Sequence, residues 1–87
     1  MNRAVLLSSQ AQREFSALDT KSRARLRAGL SRLAETGKGD LKKLRGVSGG
    51  TDLYRLRVGD YRVVFESTPK EIRVTRIFRR GEGYDWL

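Results

Sequence analysis

Two hydrophobic periods divide the chain. Near the N-terminus, Val5 to Leu7 reads as a short strand, and the apolar run Ala4 to Leu7 is too short to cross a membrane. Ser8 or Ser9 then offers a helix N-cap, and Ala11, Phe15 and Leu18 follow at i, i+4 and i+7. Leu26, Leu30 and Leu33 repeat that spacing, which predicts a second helix over about residues 21–36, with Gly37 as its stop. The break at Asp19 and Thr20 is short, so the two helices form a hairpin. Beyond residue 52 the period becomes two. Tyr54, Leu56 and Val58 alternate with Arg55 and Arg57; Tyr61, Val63 and Phe65 alternate with Arg62, Val64 and Glu66. Gly59-Asp60 fits a two-residue hairpin turn, and Thr68-Pro69-Lys70 reads as a second turn. Ile72, Val74 and Ile77 continue into a last strand ending near Phe78, followed by a tail from Arg79 to Leu87.

Between the two regimes, residues 37–52 carry Gly37, Gly39, Gly46, Gly49 and Gly50 and are expected to be largely irregular. Leu41, Leu44 and Val47 can pin this segment to the core. Its glycines match no phosphate-loop spacing. The predicted fold class is α+β, with an N-terminal strand and a helical hairpin on one face of a twisted, mainly antiparallel sheet. The 87 residues are expected to form a single domain, 1–87, with no internal repeat and no low-complexity linker.

Composition narrows the chemistry. Nineteen Lys and Arg against ten Asp and Glu leave a net charge of +9, which points to nucleic acid or an acidic protein as partner. A membrane partner is not expected, because no helix pairs a bulky aromatic face with a basic one, and the location expected by default is the cytoplasm. The absence of His and Cys removes the usual general base, the soft metal ligands and the thiol nucleophile. Catalysis, if any, falls to Arg, Lys, Tyr, Ser, Thr or carboxylates, and no metal site or cofactor is expected.

The hairpin concentrates charge in a way that folding does not require. With Gly59-Asp60 as the turn, Val58 faces Tyr61, Arg57 faces Arg62 and Arg55 faces Val64, so the three arginines share the face opposite the core side chains. Directly opposed like charges cost about 0.2–1 kcal/mol, and a bound phosphodiester would reverse that sign. Pairing of these arginines with Glu66 or Asp52 on an ordinary solvated face is the alternative. Arg76, Arg79 and Arg80 bring further guanidinium groups to the end of the last strand. Tyr84 follows Arg80 by four residues, where positive charge favours its phenolate and its ring offers a stacking surface. Trp86 is read as a hydrophobic anchor for the C-terminus. Lys42, Lys43 and Arg45 in the glycine-rich segment complete the candidate substrate contacts.

These blocks carry a resemblance through nearly the whole chain. "LKKLRG" (Leu41 to Gly46), "LYRLRVGDYRVVFE" (Leu53 to Glu66) and "RRGEGY" (Arg79 to Tyr84) resemble the RelE/ParE superfamily of bacterial and archaeal type II toxins, and the ending resembles its RelE branch. The resemblance implies a ribosome-dependent messenger RNA endonuclease, acting in the ribosomal A site and inhibited by an acidic antitoxin through which operator DNA is also contacted. It implies a catalytic set of Arg57, Arg62, Arg80 and Tyr84, with Arg55 holding a neighbouring phosphate. Two departures stand out: arginines occupy positions where some relatives have lysine, and Phe78-Arg79 stands where many have Gly-His. The rival expectations are a ParE-like, non-enzymatic inhibitor of DNA gyrase and a basic nucleic-acid-binding module without catalysis.

Overall fold

The structure is a computed structural model that describes residues 2–44 and 52–82. Seven elements follow in order: β1 (Ala4–Leu7), α1 (Ser9–Ser16), α2 (Thr20–Thr36), β2 (Asp40–Lys43), β3 (Leu53–Val58), β4 (Tyr61–Ser67) and β5 (Glu71–Arg79). The strands form one sheet in the order β1-β5-β4-β3-β2. Only the β1–β5 pairing in it is parallel; β2 to β5 form an antiparallel meander.

Local chemistry starts and stops the helices as the pattern predicts. Ser8 caps α1, its hydroxyl oxygen accepting from the Ala11 N–H at 3.0 Å. α2 ends at Gly37, whose left-handed backbone (φ 74°) lets its N–H reach the Leu33 carbonyl at 2.8 Å. The apolar stripes of both helices then lie on one side of the sheet. Ala11, Leu26, Leu30, Leu33 and Ala34 meet Leu56, Val63, Phe65, Ile72, Val74 and Ile77 in a single core, with Tyr54 stacked on Phe65 at a 5.7 Å centroid distance. The β3–β4 register is the expected one, with Val58 opposite Tyr61 and Arg57 opposite Arg62. Positive φ at Gly59 alone in that turn is the type II′ pattern.

One feature departs from the sequence expectation. Residues 37–52 are not all irregular, because Asp40–Lys43 forms the edge strand β2, in register with Tyr54 to Arg57. Every residue of β2 is exposed, so pairing with β3 supplies the order that hydrophobic patterning does not. Leu44 follows it with its N–H on the Leu53 carbonyl. In β5 the core positions run 72, 74 and then 77, a break in period two. A β-bulge explains it: Val64 pairs with Arg76 and Phe65 with Val74, leaving Thr75 as the extra residue. The bulge turns Ile77 back toward the helices while Arg76 keeps the register of Val64. β5 itself runs one residue past the expected end, to Arg79.

β1 ends at Leu7, opposite Val74, so the rest of β5 has no strand on that side. Helix α1 covers this edge instead. Ser8 donates its backbone N–H to the Val74 carbonyl at 2.8 Å and its hydroxyl to the Thr75 carbonyl at 3.0 Å. The Glu14 carboxylate accepts the Ile77 N–H at 2.7 Å and the Arg76 Nε at 3.0 Å. A carboxylate on a helix thus completes the ladder where a strand is missing. Among the described residues, no helix is long and apolar enough to cross a membrane.

Candidate nucleic-acid interface

Strand alternation presents Asp40 and Lys42 of β2, Arg55 and Arg57 of β3, and Arg62 and Val64 of β4 on the face away from the helices. The tight turn at Gly59-Asp60 brings the end of β5 to the same place, because the Arg80 N–H bonds the Asp60 carbonyl at 2.6 Å. The backbone positions of Arg57, Arg62 and Arg80 therefore lie at one end of the sheet. Arg25 of α2 reaches the same turn from the helix side, its Nη1 lying 3.8 Å from where a Cβ on Gly59 would stand.

The expected repulsion across the hairpin is resolved by groups that sequence reasoning did not identify. Asp40 lies opposite Arg57 in the β2–β3 register. Its carboxylate accepts from Arg57 Nε at 2.6 Å, is also paired with Arg57 Nη2, and lies 3.7 Å from Arg55 Nη2. Neither Glu66 nor Asp52 fills that role; Asp52 pairs with Lys43 at 3.2 Å. Arg62 takes a different solution. It is only 7% exposed, and its Nη1 donates to the Gly59 and Tyr61 carbonyls at 3.1 Å each. Its cross-strand neighbour on β5 is Phe78, itself buried, so the face away from the helices carries the buried apolar side chains Val64 and Phe78 beside Arg62.

The candidate residues thus fall into distinct environments. Arg57, Arg79 and Arg80 are exposed; Arg55 is largely covered, and its buried Nε has no hydrogen-bond partner among the described residues. Arg79 projects on the helix side and lies over the Tyr61 ring, 6.0 Å from its centroid. Lys42 and Lys43 are exposed on the edge strand, where lysine also discourages pairing with another chain. Arg76 stands apart from the cluster, half-buried against Glu14. Arg45, Tyr84 and Trp86 lie outside the described residues. Among the described residues, no three His, Cys, Asp or Glu side chains gather into a metal-binding group.

Chemically, this arrangement offers guanidinium and ammonium donors suited to anions. Guanidinium groups offer fixed donor pairs to phosphate oxygens and keep their charge at any physiological pH. Comparison with known proteins bears on family and fold. Residues 5–84 match the model of the ParE toxin family, described as the ParE toxin of the type II toxin–antitoxin system parDE. Among solved structures, the chain is similar to an archaeal RelE–RelB complex from Pyrococcus horikoshii, at 29% identity and a TM-score of 0.78, over 95% of this chain and 100% of the other. The isolated E. coli RelE toxin shares the fold, with 19% identity, a TM-score of 0.74 and coverage of 97% and 90%. So does a chain of a toxin–antitoxin complex from Mycobacterium tuberculosis, with 20% identity, a TM-score of 0.75 and coverage of 92% and 100%. A comparison with curated proteins returned no match. With a family model spanning nearly its whole length and a fold shared with RelE structures, the chain belongs to the ParE toxin family, within the RelE/ParE superfamily of type II toxins.

Proposed function

We propose that this toxin is a ribosome-dependent messenger RNA endonuclease that arrests translation until an acidic antitoxin covers its basic face. The observation that carries the reading is the convergence of the Arg57, Arg62 and Arg80 backbone positions at one end of the sheet, through the Arg57–Arg62 cross-strand pair and the Arg80–Asp60 backbone bond. Cleavage proceeds by attack of a ribose 2′-hydroxyl on the adjacent phosphorus. A bond forms from the 2′-oxygen to phosphorus, the bond from phosphorus to the 5′-oxygen breaks, and the products are a cyclic phosphate and a 5′-hydroxyl end.

The reaction requires stabilisation of charge on the equatorial phosphate oxygens, and fixed guanidinium donors provide it without a metal. Arg57 and Arg62 take that role, and Arg55 holds the neighbouring phosphate. Tyr84 orients the 2′-hydroxyl or accepts its proton, and Arg80 protonates the leaving 5′-oxygen or neutralises its charge while water supplies the proton of the 5′-hydroxyl. Lys42, Lys43, Arg45 and Arg79 supply contacts to flanking phosphates. Arg76, already held by Glu14, serves the β5 edge in this reading. A site with no histidine gains most from a substrate presented in a fixed geometry, which is what an A-site codon provides.

Loss of one donor that stabilises transition-state charge costs about 10²–10³ in rate. Arg57→Ala is therefore expected to reduce cleavage by at least that factor while leaving the melting curve of the fold in place; full cleavage in Arg57→Ala removes the assignment. A second reading is favoured by one specific observation, that the matching family model is the ParE one. It makes the chain a gyrase inhibitor, for which inhibition of supercoiling with intact messenger RNA is the decisive result.

A further inference from the structure

We infer that Asp40 is an internal counter-anion that occupies the phosphate position between Arg55 and Arg57, and that substrate RNA binds by displacing it. The inference rests on the proposed RNA-binding role of these two arginines and deepens it. β2 is fully exposed, and it sets Asp40 in register with Arg57 and leaves Lys42 in register with Arg55. One Asp40 oxygen meets Arg57 Nε at 2.6 Å and pairs with its Nη2 as well, so a single acceptor is shared by the Nε–Nη2 side of Arg57, a place that a phosphate oxygen can take. The other oxygen stands 3.7 Å from Arg55 Nη2, a charge contact without hydrogen-bond geometry.

Arg55 therefore has more donor capacity than Asp40 satisfies, and its Nε is buried without a partner among the described residues. Arg55 is held more by packing than by Asp40. A phosphodiester has two unesterified oxygens and competes for the donors that the carboxylate uses. Because Asp40 is about half exposed, as is Arg57, displacement moves the carboxylate into water and leaves no buried charge behind. The device sets a threshold: isolated phosphates must outcompete a tethered carboxylate, whereas a held RNA strand with several phosphates does so readily.

Asp40 acts through the two arginines and is a positioning residue. The probe is a short 2′-O-methyl oligoribonucleotide, which cannot be cleaved, titrated into the native protein and its variants at several salt concentrations. Removing the competitor in Asp40→Asn is expected to tighten binding by about 2- to 30-fold, the range that two exposed ion pairs of ordinary strength represent. Asp40→Glu restores the carboxylate and is expected to return affinity close to the native value. Glu71→Gln makes the same change in net charge away from the turn, and its gain should be clearly smaller. An affinity in Asp40→Asn equal to native, or no greater than in Glu71→Gln, overturns the inference.

Should Asp40→Asn fail to fold, the native protein answers the question by NMR. The Asp40 carboxyl carbon and the Arg57 Nε resonances are expected to shift together as the oligonucleotide saturates, and an unmoved Asp40 carboxyl at saturation overturns the inference. Because the probe is inert, these outcomes are independent of whether the native chain cleaves messenger RNA; absent cleavage alone would overturn the nuclease reading and leave Asp40's competition with phosphate standing.

Discussion

Glu14→Ala isolates the contribution of a helix-borne carboxylate to the sheet. Glu14 accepts the Ile77 N–H at 2.7 Å and Arg76 Nε at 3.0 Å, and its side chain is 18% exposed. A hydrogen bond to a charged group contributes about 1.5–3 kcal/mol. The Arg76 pair is partly open to solvent, so about 0.5–1 kcal/mol is a fair allowance for it. Removing the carboxylate should therefore destabilise the fold by about 2–4 kcal/mol, since Ile77 is 3% exposed and leaves little room for water to replace the lost acceptor. Glu14→Gln keeps a carbonyl for the Ile77 N–H and should cost only about half as much. Urea unfolding of both variants, with Arg76→Ala to close a double-mutant cycle, measures the terms separately. Amide exchange at Ile77 supplies the local readout, with protection falling in Glu14→Ala more than at core amides of β4. A loss below about 0.5 kcal/mol with Ile77 still protected would refute the claim that Glu14 completes the β5 edge.

Three further outcomes follow from other parts of the fold. Phe65 is 1% exposed and stacks on Tyr54, so Phe65→Ala should cost about 3–5 kcal/mol in chemical denaturation. Gly37 sits at φ 74° with nothing within 4 Å of an added Cβ, so Gly37→Ala carries conformational strain without a clash. It should lose about 1 kcal/mol, read as a drop of roughly 4–8 °C in Tm. RNA affinity should fall steeply with salt, and Arg57→Ala should flatten the slope of log K against log salt by about 0.7, as expected for one phosphate contact to a single strand. An unchanged slope would place Arg57 outside the RNA contact.

The main elements were readable because their side chains face a core. Leu26, Leu30 and Leu33 mark one helical stripe, and all three are buried in the cluster beneath the sheet. The hairpin register was readable because a one-residue slip would turn Leu56, Val63 and Phe65 outward and the two-residue Gly59-Asp60 turn fixes the pairing. β2 left no such mark. Its sequence holds a single apolar residue, Leu41, which remains exposed, and the strand exists through backbone bonds to β3. Missing β2 meant missing Asp40, and with it the charge that offsets Arg57. The sequence-level picture of three solvent-facing arginines was also too uniform. Arg62 shares its face with Val64 and Phe78 and turns onto the carbonyls of its own turn, a backbone contact that residue type alone does not reveal. The nearness of Arg25 to Gly59 depends on how α2 lies across the sheet, which helical periodicity does not specify.

The central claim is tested most directly by incubating the purified toxin with messenger RNA in a reconstituted translation system, with and without ribosomes, and mapping the new ends by primer extension. The account predicts cuts within A-site codons, 5′-hydroxyl ends downstream of each cut, and no cleavage when ribosomes are omitted. Intact messenger RNA under both conditions, with loss of gyrase supercoiling at the same toxin concentration, would contradict it and assign the basic end of the sheet to a protein target.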